Sequence, residues 1–243
     1  MRVSSTDFQN AVGKYLTLAQ KETITITKNG KSVAKLTATS DPQEFIINEA
    51  KGNYNVRRHV SYEEYEKIVG NSEKRFELIN GEVYLLASPS FRHQTIVFEL
   101  AKQLDSHLHG RPCRTLTAPF DVRLFGYATK FSENPNVVQP DVVVICDLEN
   151  ITEGGKYEGI PELLVEVLSP STKGKDLITK LDLYQRSGVR EYWIVDPDKN
   201  ILSQYAFTEE RELLSNEFYR ETDILESIIF PEFTLELSRI FKH

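Results

Sequence analysis

Two carboxylates stand in strongly apolar segments and are the first candidates for chemistry. Asp141 opens a valine-rich run directly after Pro140, and Glu166 interrupts LLVEVL, the most apolar strand of the chain. A carboxylate in such surroundings is costly unless it is paired or binds a metal ion. The alternative is a solvated face for Glu166, but Leu164 and Leu168 share its parity. Two such acids, with backbone carbonyls and water, favour an oxygen site for Mg²⁺ or Mn²⁺.

A lysine on the following helix is the candidate cation for the same site. Asp176, Lys180 and Tyr184 fall at i, i+4 and i+8, which places them on one stripe of a helix. The plain interpretation is an Asp–Lys surface pair worth about 0.3–0.5 kcal/mol. Neighbouring leucines bring the apolar face close to this stripe, however. We therefore predict that Lys180 points toward the sheet edge that holds the two acids.

Four further polar residues are weaker candidates. Glu77 and Glu82 flank the turn Asn80–Gly81, and either could supply another carboxylate. Glu77 is preferred, since Glu82 adjoins the turn and is expected to be exposed. His93 stands at a helix start, where it could orient substrate or water, although a lone histidine there is more often structural. Asp121, on the strand before Asp141, could support a metal ion indirectly.

The elements that must position these residues can be read from periodicity and turn signals. Ser61 and Glu64 predict a capping box at a helix start, and Asn80–Gly81 predicts a tight hairpin. Three predicted strands follow an amphipathic helix that begins near His93: CRTLTAPFDVRLF, NVVQPDVVVICD and PELLVEVLSP. The segment STKGKDLITKLDLYQRSGV predicts a second helix and EYWIVDP a further strand. This order predicts an α/β protein with a mixed sheet flanked by helices.

Composition excludes several classes of protein. The chain has 243 residues, of which 40% are hydrophobic, so it can bury a substantial core. Its two cysteines, Cys113 and Cys146, form no CxxC pair, so neither a disulfide framework nor a thiolate zinc site is expected. No apolar run approaches the roughly 20 residues that span a bilayer, and the N-terminus lacks the apolar stretch of a signal peptide. We expect a cytoplasmic protein without a membrane segment.

Charge divides the chain into two parts. The net charge is −7. Residues 1–40 contain six basic and two acidic residues, a balance of +4, which leaves −11 for the remainder. A basic first segment on an acidic body indicates two modules with different partners, although chance clustering explains it equally well.

Residues 1–40 read as a compact β-α-β-β unit. A short strand at Val3 precedes a helix from Asp7 to about Ala19, which Ser5 or Thr6 can cap. Two alternating strands then surround Asn29–Gly30, a strong hairpin signal. A unit this small buries too little apolar surface to be stable alone, so dimerisation is expected.

This unit resembles the DNA-binding half of the Phd/YefM antitoxin family. The resemblance runs through VSSTDFQNAVGKYLTLAQKETITITKNGKSVAKLTAT. It implies a homodimer that binds operator DNA, with Arg2, Ser4, Thr6 and Asn10 as the candidate contacts by position, and a possible toxin partner. The structural alternative is that the serine and the threonine are only helix caps and that the arginine is solvated. The family's toxin-neutralising tail is replaced here by a different domain.

Residues 57–243, after a linker at 41–56, resemble the PD-(D/E)XK nuclease superfamily and specifically the Uma-type putative restriction endonucleases. The motifs are RFELINGEVY, SPSFRHQ, APFDVRL, VVQPDVVVICD, LLVEVLSPSTKGKDLITKLDLYQRSGVREYWIVDP and FPEFTLELSRIF. The resemblance implies a restriction-endonuclease-like fold in which Asp141 and Glu166 bind the metal ion. The usual lysine, two residues after the second acid, is replaced by Leu168. Lys180 is the match on the following helix, and Lys173 and Lys175 are less favoured substitutes that could contact phosphate or solvent.

Two functions from different classes follow. The first is a Mg²⁺- or Mn²⁺-dependent DNA endonuclease, delivered to DNA by the antitoxin-like module. The second is a catalytically silent DNA-binding regulator or antitoxin that keeps the nuclease fold as an interaction surface. Leu168 and the acidic body favour the second function, whereas Asp141, Glu166 and Lys180 favour the first.

Overall fold

The computed structural model describes residues 1–10, 15, 19, 23–28, 30–36, 46–47, 59–169 and 175–242, without the side chains of residues 6, 9, 10, 46 and 47. The α-helices are α1 Ser5–Asn10, α2 Tyr62–Gly70, α3 Phe91–Leu108, α4 Leu181–Ser187 and α5 Leu237–Phe241. A π-helical turn, Lys175–Lys180, leads into α4. The first strands are β1 Arg2–Ser4, β2 Ile24–Lys28, β3 Lys31–Leu36, β4 Ile46–Ile47, β5 Phe76–Ile79 and β6 Glu82–Leu85. Next are β7 Arg114–Thr117, β8 Val122–Leu124, β9 Asn136–Val138, β10 Val142–Ile145, β11 Tyr157–Glu158 and β12 Leu163–Val167. The last are β13 Glu191–Asp196, β14 Ile201–Phe207, β15 Leu213–Arg220, β16 Ile224–Glu226 and β17 Thr234–Glu236.

A six-stranded mixed sheet in the order β15-β14-β13-β12-β10-β7 forms the centre of the fold. β12 runs parallel to β13, and the other neighbours are antiparallel. Every residue of β12 is buried, as its continuous apolar run predicts. The apolar side of α3, including Leu100 and Leu104, packs on one face of the sheet, and α4 contributes Leu183 to the core on the other face. The predicted mixed sheet flanked by helices is therefore confirmed.

A second six-stranded sheet, separate from the central one, has the strand order β11-β8-β9-β5-β6-β4. Two segments that were each predicted to be one strand are in fact divided between the two sheets. CRTLTAPFDVRLF is divided between β7 in the central sheet and β8 in the second, and NVVQPDVVVICD is likewise divided between β9 and β10. Each division contains a proline, Pro119 or Pro140. Proline has no N–H for a sheet ladder, so it favours the point at which the chain changes sheets.

Two local predictions of helix and turn structure are confirmed. Ser61 caps α2 in a reciprocal capping box with Glu64. Asn80 and Gly81 form the two-residue connection between β5 and β6 with φ angles of 52° and 75°. This left-handed pair is the conformation that a type I′ hairpin requires.

The described part of residues 1–36 has the predicted order of elements, β1, α1, β2 and β3. β1 pairs in parallel with β2, and β2 pairs antiparallel with β3. Val3, Tyr15 and Ile24 are buried together. Ser4, rather than Ser5 or Thr6, is the observed cap, because its Oγ accepts a hydrogen bond of 3.0 Å from the Asp7 N–H. Asn29 of the predicted turn lies outside the described residues.

The expectation of two unpaired cysteines is wrong. Cys113 and Cys146 form a disulfide, although 33 positions separate them in sequence. Arg114 pairs with Ile145 between β7 and β10, so the cysteines meet one residue beyond this pair. Strand register, which sequence spacing does not reveal, brings them together. Among the described residues no helix is both long and apolar enough to cross a membrane.

Candidate functional site

Asp141 and Glu166 lie side by side at one end of neighbouring antiparallel strands. Val142 pairs with Val165, and the next residue on each strand is one of the two acids. The Val167 N–H donates a hydrogen bond of 2.8 Å to Asp141 Oδ2, which ties the two strand ends together. Both acids line a cavity of about 510 Å³. The strand register therefore directs two carboxylates into one solvent-accessible space.

Lys180 points into the same space. Its Nζ lies 2.7 Å from Glu166 Oε1, 2.8 Å from Glu77 Oε1 and 3.6 Å from Asp176 Oδ1. Its side chain is only 3% exposed. The alternative of a surface Asp–Lys pair is therefore wrong. Lys180 is an ammonium group held among three carboxylates on the wall of the cavity.

The π-helical turn Lys175–Lys180 places two lysines on one buried carboxylate. Lys175 Nζ lies 2.8 Å from Glu77 Oε2, while Lys180 approaches the other oxygen. Lys175 also lies over the Tyr84 ring, with 5.1 Å between Nζ and the ring centroid. Lys175, a less favoured substitute for the usual lysine, is thus paired with a carboxylate rather than simply solvated, and Lys173 lies outside the described residues. π-Helical turns are rare in proteins, and a large share of those that occur are found at functional sites.

Glu77 has a supporting position behind the cavity. Its side chain is fully buried, it is absent from the cavity wall, and its Oε1 accepts a hydrogen bond of 2.9 Å from the Gln139 N–H. Burial opposes ionisation, but Lys175 and Lys180 outweigh it and lower the pKa of Glu77 to about 2. Glu77 is thus the anion that fixes both lysines.

The pKa of Glu166 is shifted in the opposite direction to the pKa of Glu77. Burial raises its pKa well above the usual value, and nearby Asp176 and Asp141 act in the same direction against the opposing charge of Lys180. Burial alone would lower the pKa of Lys180, yet Glu166 and Glu77 raise it, so the lysine remains charged. Tyr184 donates its hydroxyl to Glu166 Oε1 at 2.8 Å. One oxygen of Glu166 is therefore held by two donors.

His93 is held against Asp141 at the start of α3. Ser90 caps this helix by accepting a hydrogen bond from the His93 N–H at 3.2 Å. The His93 Nε2 atom lies 3.2 Å from Asp141 Oδ2. Burial would lower the pKa of the imidazole, but the hydrogen bond and the charge of Asp141 raise it above its usual value. His93 and the Val167 N–H therefore hold the same oxygen of Asp141.

The donor set fits a hard divalent cation. Asp141 Oδ1 and Glu166 Oε2 make no hydrogen bond within the described part of the chain, although both residues line the cavity. Four carboxylates surround two ammonium groups here: Glu77, Asp141, Glu166 and Asp176 against Lys175 and Lys180. Burial and the nearby Asp176 and Asp141 disfavour the charged form of Glu166, and a divalent cation bound by the acids would offset this effect.

The coordination of such an ion would not be supplied by side chains alone. In the described ranges, no three His, Cys, Asp or Glu side chains are grouped as metal ligands. Mg²⁺ commonly keeps several water ligands and uses one or two carboxylates. Asp141 and Glu166 are consistent with that pattern, and water or substrate oxygens would complete the shell.

The remaining candidates have different environments. Glu82 accepts a hydrogen bond of 2.6 Å from the Tyr84 hydroxyl. Asp121 accepts one of 2.9 Å from Gln139 Nε2 and does not line the cavity. Leu168, which replaces the usual lysine, is buried and lies on the cavity wall.

Sequence reasoning did not identify two arginines at this cavity. Arg75 and Arg92 line it together with His93. Arg92 directly precedes His93 in the motif SPSFRHQ, so this motif contained a signal for one of them. Arg75 is the first residue of the motif RFELINGEVY, but its approach to the cavity depends on the fold of the β5–β6 region.

The candidate DNA contacts of the first module are only partly described. Arg2 is exposed at the start of β1. Ser4 uses its hydroxyl locally, on Asp7. Thr6 and Asn10 belong to α1, but their side chains lie outside the described residues. DNA binding by this module stays a prediction.

Comparison with known proteins gives a family match. Residues 62–238 match the family described as "Uma2: Putative restriction endonuclease". Two uncharacterized proteins from Synechocystis sp. are each 26% identical, over 136 and 165 residues, which cover 56% and 67% of this chain and 67% and 89% of those proteins. A crystal structure of a putative nuclease belonging to DUF820 from Anabaena variabilis has a TM-score of 0.60 and 19% identity. The match covers 75% of this chain and 98% of that one and shows a shared fold.

Proposed function

The chain belongs to the Uma2 family of putative restriction endonucleases, and we propose that it is a metal-dependent DNA endonuclease. The observation that carries this proposal is the convergence of Lys180 on Glu166, beside Asp141, in one cavity. An acid pair that can hold a metal ion, with a cation beside it, suits metal-dependent phosphodiester hydrolysis, although the usual lysine position holds Leu168. The alternative of a silent nuclease fold was favoured by that leucine and by the acidic body, and Lys180 would supply the missing charge from another element.

Asp141 and Glu166 would hold Mg²⁺ or Mn²⁺ through the oxygens that face the cavity. When bound, such an ion lowers the pKa of water and polarises a phosphoryl oxygen. The His93 imidazole and the Val167 N–H fix the orientation of Asp141. Lys180 and Tyr184 fix Glu166 through its other oxygen. The ligands are thereby oriented before the substrate binds, which avoids reorganisation during the reaction.

Lys180 would stabilise the negative charge that develops on the phosphate during hydrolysis. Hydrolysis adds water to phosphorus and breaks one P–O ester bond, so negative charge develops on the phosphate oxygens. A fixed ammonium on the cavity wall stabilises that charge, and it acts strongly because the site is shielded from water. Glu77 and Asp176 hold this ammonium in place. Glu77 is therefore a positioning residue, without contact to the reacting atoms.

Delivery to DNA is the proposed role of the first module. The acidic body by itself disfavours binding to a polyanion, whereas residues 1–40 are basic. We propose that Arg2, Ser4, Thr6 and Asn10 contact the DNA, as the Phd/YefM resemblance implies. Homodimerisation of this module and a toxin partner belong to the same proposal.

The test is cleavage of plasmid DNA in the presence of Mg²⁺ or Mn²⁺. We expect nicking or linearisation by the wild type and a rate at least about 100-fold lower for Asp141→Asn and for Lys180→Met. Lys102→Met is the matched control, because Lys102 forms an exposed 2.6 Å pair with Glu99. Cleavage that persists in Asp141→Asn would reject the site. An inactive wild type that still binds DNA through residues 1–40 would instead support the silent regulator.

A further inference from the structure

Two arginines on the wall of the cavity lie outside the carboxylate cluster. Arg75 directly precedes β5, and Arg92 lies in the first turn of α3. Arg92 is exposed and Arg75 is half-buried, whereas Glu166 and Lys180 on the same wall are buried. The two guanidinium groups therefore belong to the part of the cavity that opens to solvent.

The charge of both arginines is left without a carboxylate partner in the described part of the chain. The Arg75 guanidinium donates a hydrogen bond of 3.4 Å to the Ala87 carbonyl, and the Arg92 guanidinium donates one of 2.8 Å to Asn200 Oδ1. Both acceptors are uncharged. A guanidinium has five N–H donors in a planar fork, so each arginine keeps donors for a further ligand. The fork matches a phosphate group, which it can bind through two parallel hydrogen bonds.

The lysines of the cavity wall, in contrast, are already compensated by carboxylates. Lys175 and Lys180 are both buried against Glu77, and Lys180 also contacts Glu166. A polyanionic strand that enters the acidic body of this chain needs cations whose charge is not already balanced. On the described part of the cavity wall the two arginines meet this condition.

Asn200 fixes the position of Arg92. It lies in the turn between β13 and β14 and has a φ angle of 53°. Its side-chain oxygen accepts the hydrogen bond from Arg92, and its side-chain nitrogen donates one of 2.7 Å to Glu221 Oε2. Because a carboxylate only accepts, Glu221 holds the amide with its oxygen toward the guanidinium. Arg92 is thereby attached to the central sheet as well as to α3, which reduces the entropy that it loses when it binds an anion.

We propose that Arg75 and Arg92 each bind a phosphate of the DNA strand that enters the cavity, and that Asn200 is the positioning residue of Arg92. Contacts to the phosphate backbone hold the strand without reading its sequence. This inference rests on the proposed nuclease function. It adds a DNA-binding surface on the large domain to the one proposed for residues 1–40.

The first experiment measures binding of the full chain to a short fluorescent DNA duplex by anisotropy, in EDTA so that no cleavage occurs. We expect Arg75→Gln and Arg92→Gln each to raise the dissociation constant about tenfold. Each should also reduce the slope of log affinity against log salt concentration by about 0.9. The loss should be equal for unrelated duplex sequences.

Arg114→Gln is the matched control for this measurement. It removes the same charge from an exposed arginine that donates to the carbonyls of Arg111 and Cys113 and does not line the cavity. Thermal scanning verifies that all variants are folded. The proposed pair is rejected if the wild type does not bind the duplex, or if either cavity variant weakens binding no more than Arg114→Gln.

Asn200→Gly tests the positioning role, because glycine keeps the positive φ angle and removes the amide. We expect this substitution to raise the dissociation constant of the otherwise wild-type chain by at least about threefold. In the Arg92→Gln background it should have no further effect, since the group that it positions is already absent. Equal weakening in both backgrounds would show that Asn200 does not act through Arg92.

Cleavage kinetics separate this inference from the proposed function. The arginine variants should raise KM more than they lower kcat, because the phosphate contacts exist before and during the reaction. If the wild type binds DNA but cleaves none, the nuclease proposal fails, and the anisotropy result still decides the role of the arginines. If the wild type cleaves DNA and Arg92→Gln keeps the wild-type KM, the arginine contacts are rejected and the nuclease proposal stands.

Discussion

Replacing Lys180 by methionine tests whether the cation is buried among carboxylates. Methionine keeps most of the apolar stem and removes the charge. Lys180 is 3% exposed, so solvent screens its ion pairs very little. Removing one partner of a buried pair costs about 3–5 kcal/mol, because the other charge remains buried without compensation. For a chain of this length, that loss corresponds to a Tm lower by roughly 6–20 °C.

The matched control separates burial from contact distance. Lys102 Nζ lies 2.6 Å from Glu99 Oε2, as close as Lys180 lies to Glu166, but the Lys102 side chain is 54% exposed. Lys102→Met is therefore expected to cost less than about 1 kcal/mol. Both variants would be measured by urea unfolding and by thermal scanning in buffer without divalent ions.

A second substitution checks the cause of the lost stability. Glu166→Gln changes one of the carboxyl groups that lose their partner in Lys180→Met, so the double variant should be more stable than the sum of the two single effects predicts. A coupling energy of about 1–3 kcal/mol is expected for groups in direct contact. The reasoning is refuted if Lys180→Met costs as little as Lys102→Met, or if the two effects on unfolding free energy add without coupling.

Three further predictions concern metal binding and stability. Mg²⁺ at 100 times its dissociation constant should stabilise the wild type by about 2.7 kcal/mol, and an equal rise in Tm for Asp141→Asn would contradict the ligand assignment. Glu191→Leu should lower the unfolding free energy by more than about 3 kcal/mol, because five donors lose one acceptor, the Glu191 carboxylate. An unchanged urea midpoint of unfolding for Glu191→Leu would refute this prediction. Replacing Cys113 and Cys146 by serine should cost up to about 3.7 kcal/mol for a separation of 33 residues, and unfolding under reducing and non-reducing conditions measures this difference.

Features that depend on a few neighbouring residues were predictable. The Asn80–Gly81 turn follows from two residues that tolerate positive φ, and the Ser61 capping box follows from one side chain and one backbone group. Glu166 stood out because a carboxylate in a continuous apolar run needs a partner. Its partner Lys180 was predictable as well, since helical periodicity places that lysine on the stripe of Asp176.

Features that depend on strand register were not predictable. The division of two strands at Pro119 and Pro140 was missed, because an alternating pattern does not show to which sheet a segment belongs. Lys175 was a less favoured candidate without a predicted partner in the chain, and it contacts Glu77, 98 positions earlier. Such contacts are set by the packing of the two sheets.

The sequence by itself therefore determined the family and singled out Asp141, Glu166 and Lys180 as candidate site residues. These depend on residue type and on spacing within single elements. Only the tertiary structure decided that Glu77 is a buried anion behind two lysines and that Cys113 meets Cys146. It also decided that β15 is the last strand at one side of the central sheet. The physical reason is that ion pairs, disulfides and sheet edges depend on distances between remote segments, and these exist only after the strands have taken their register.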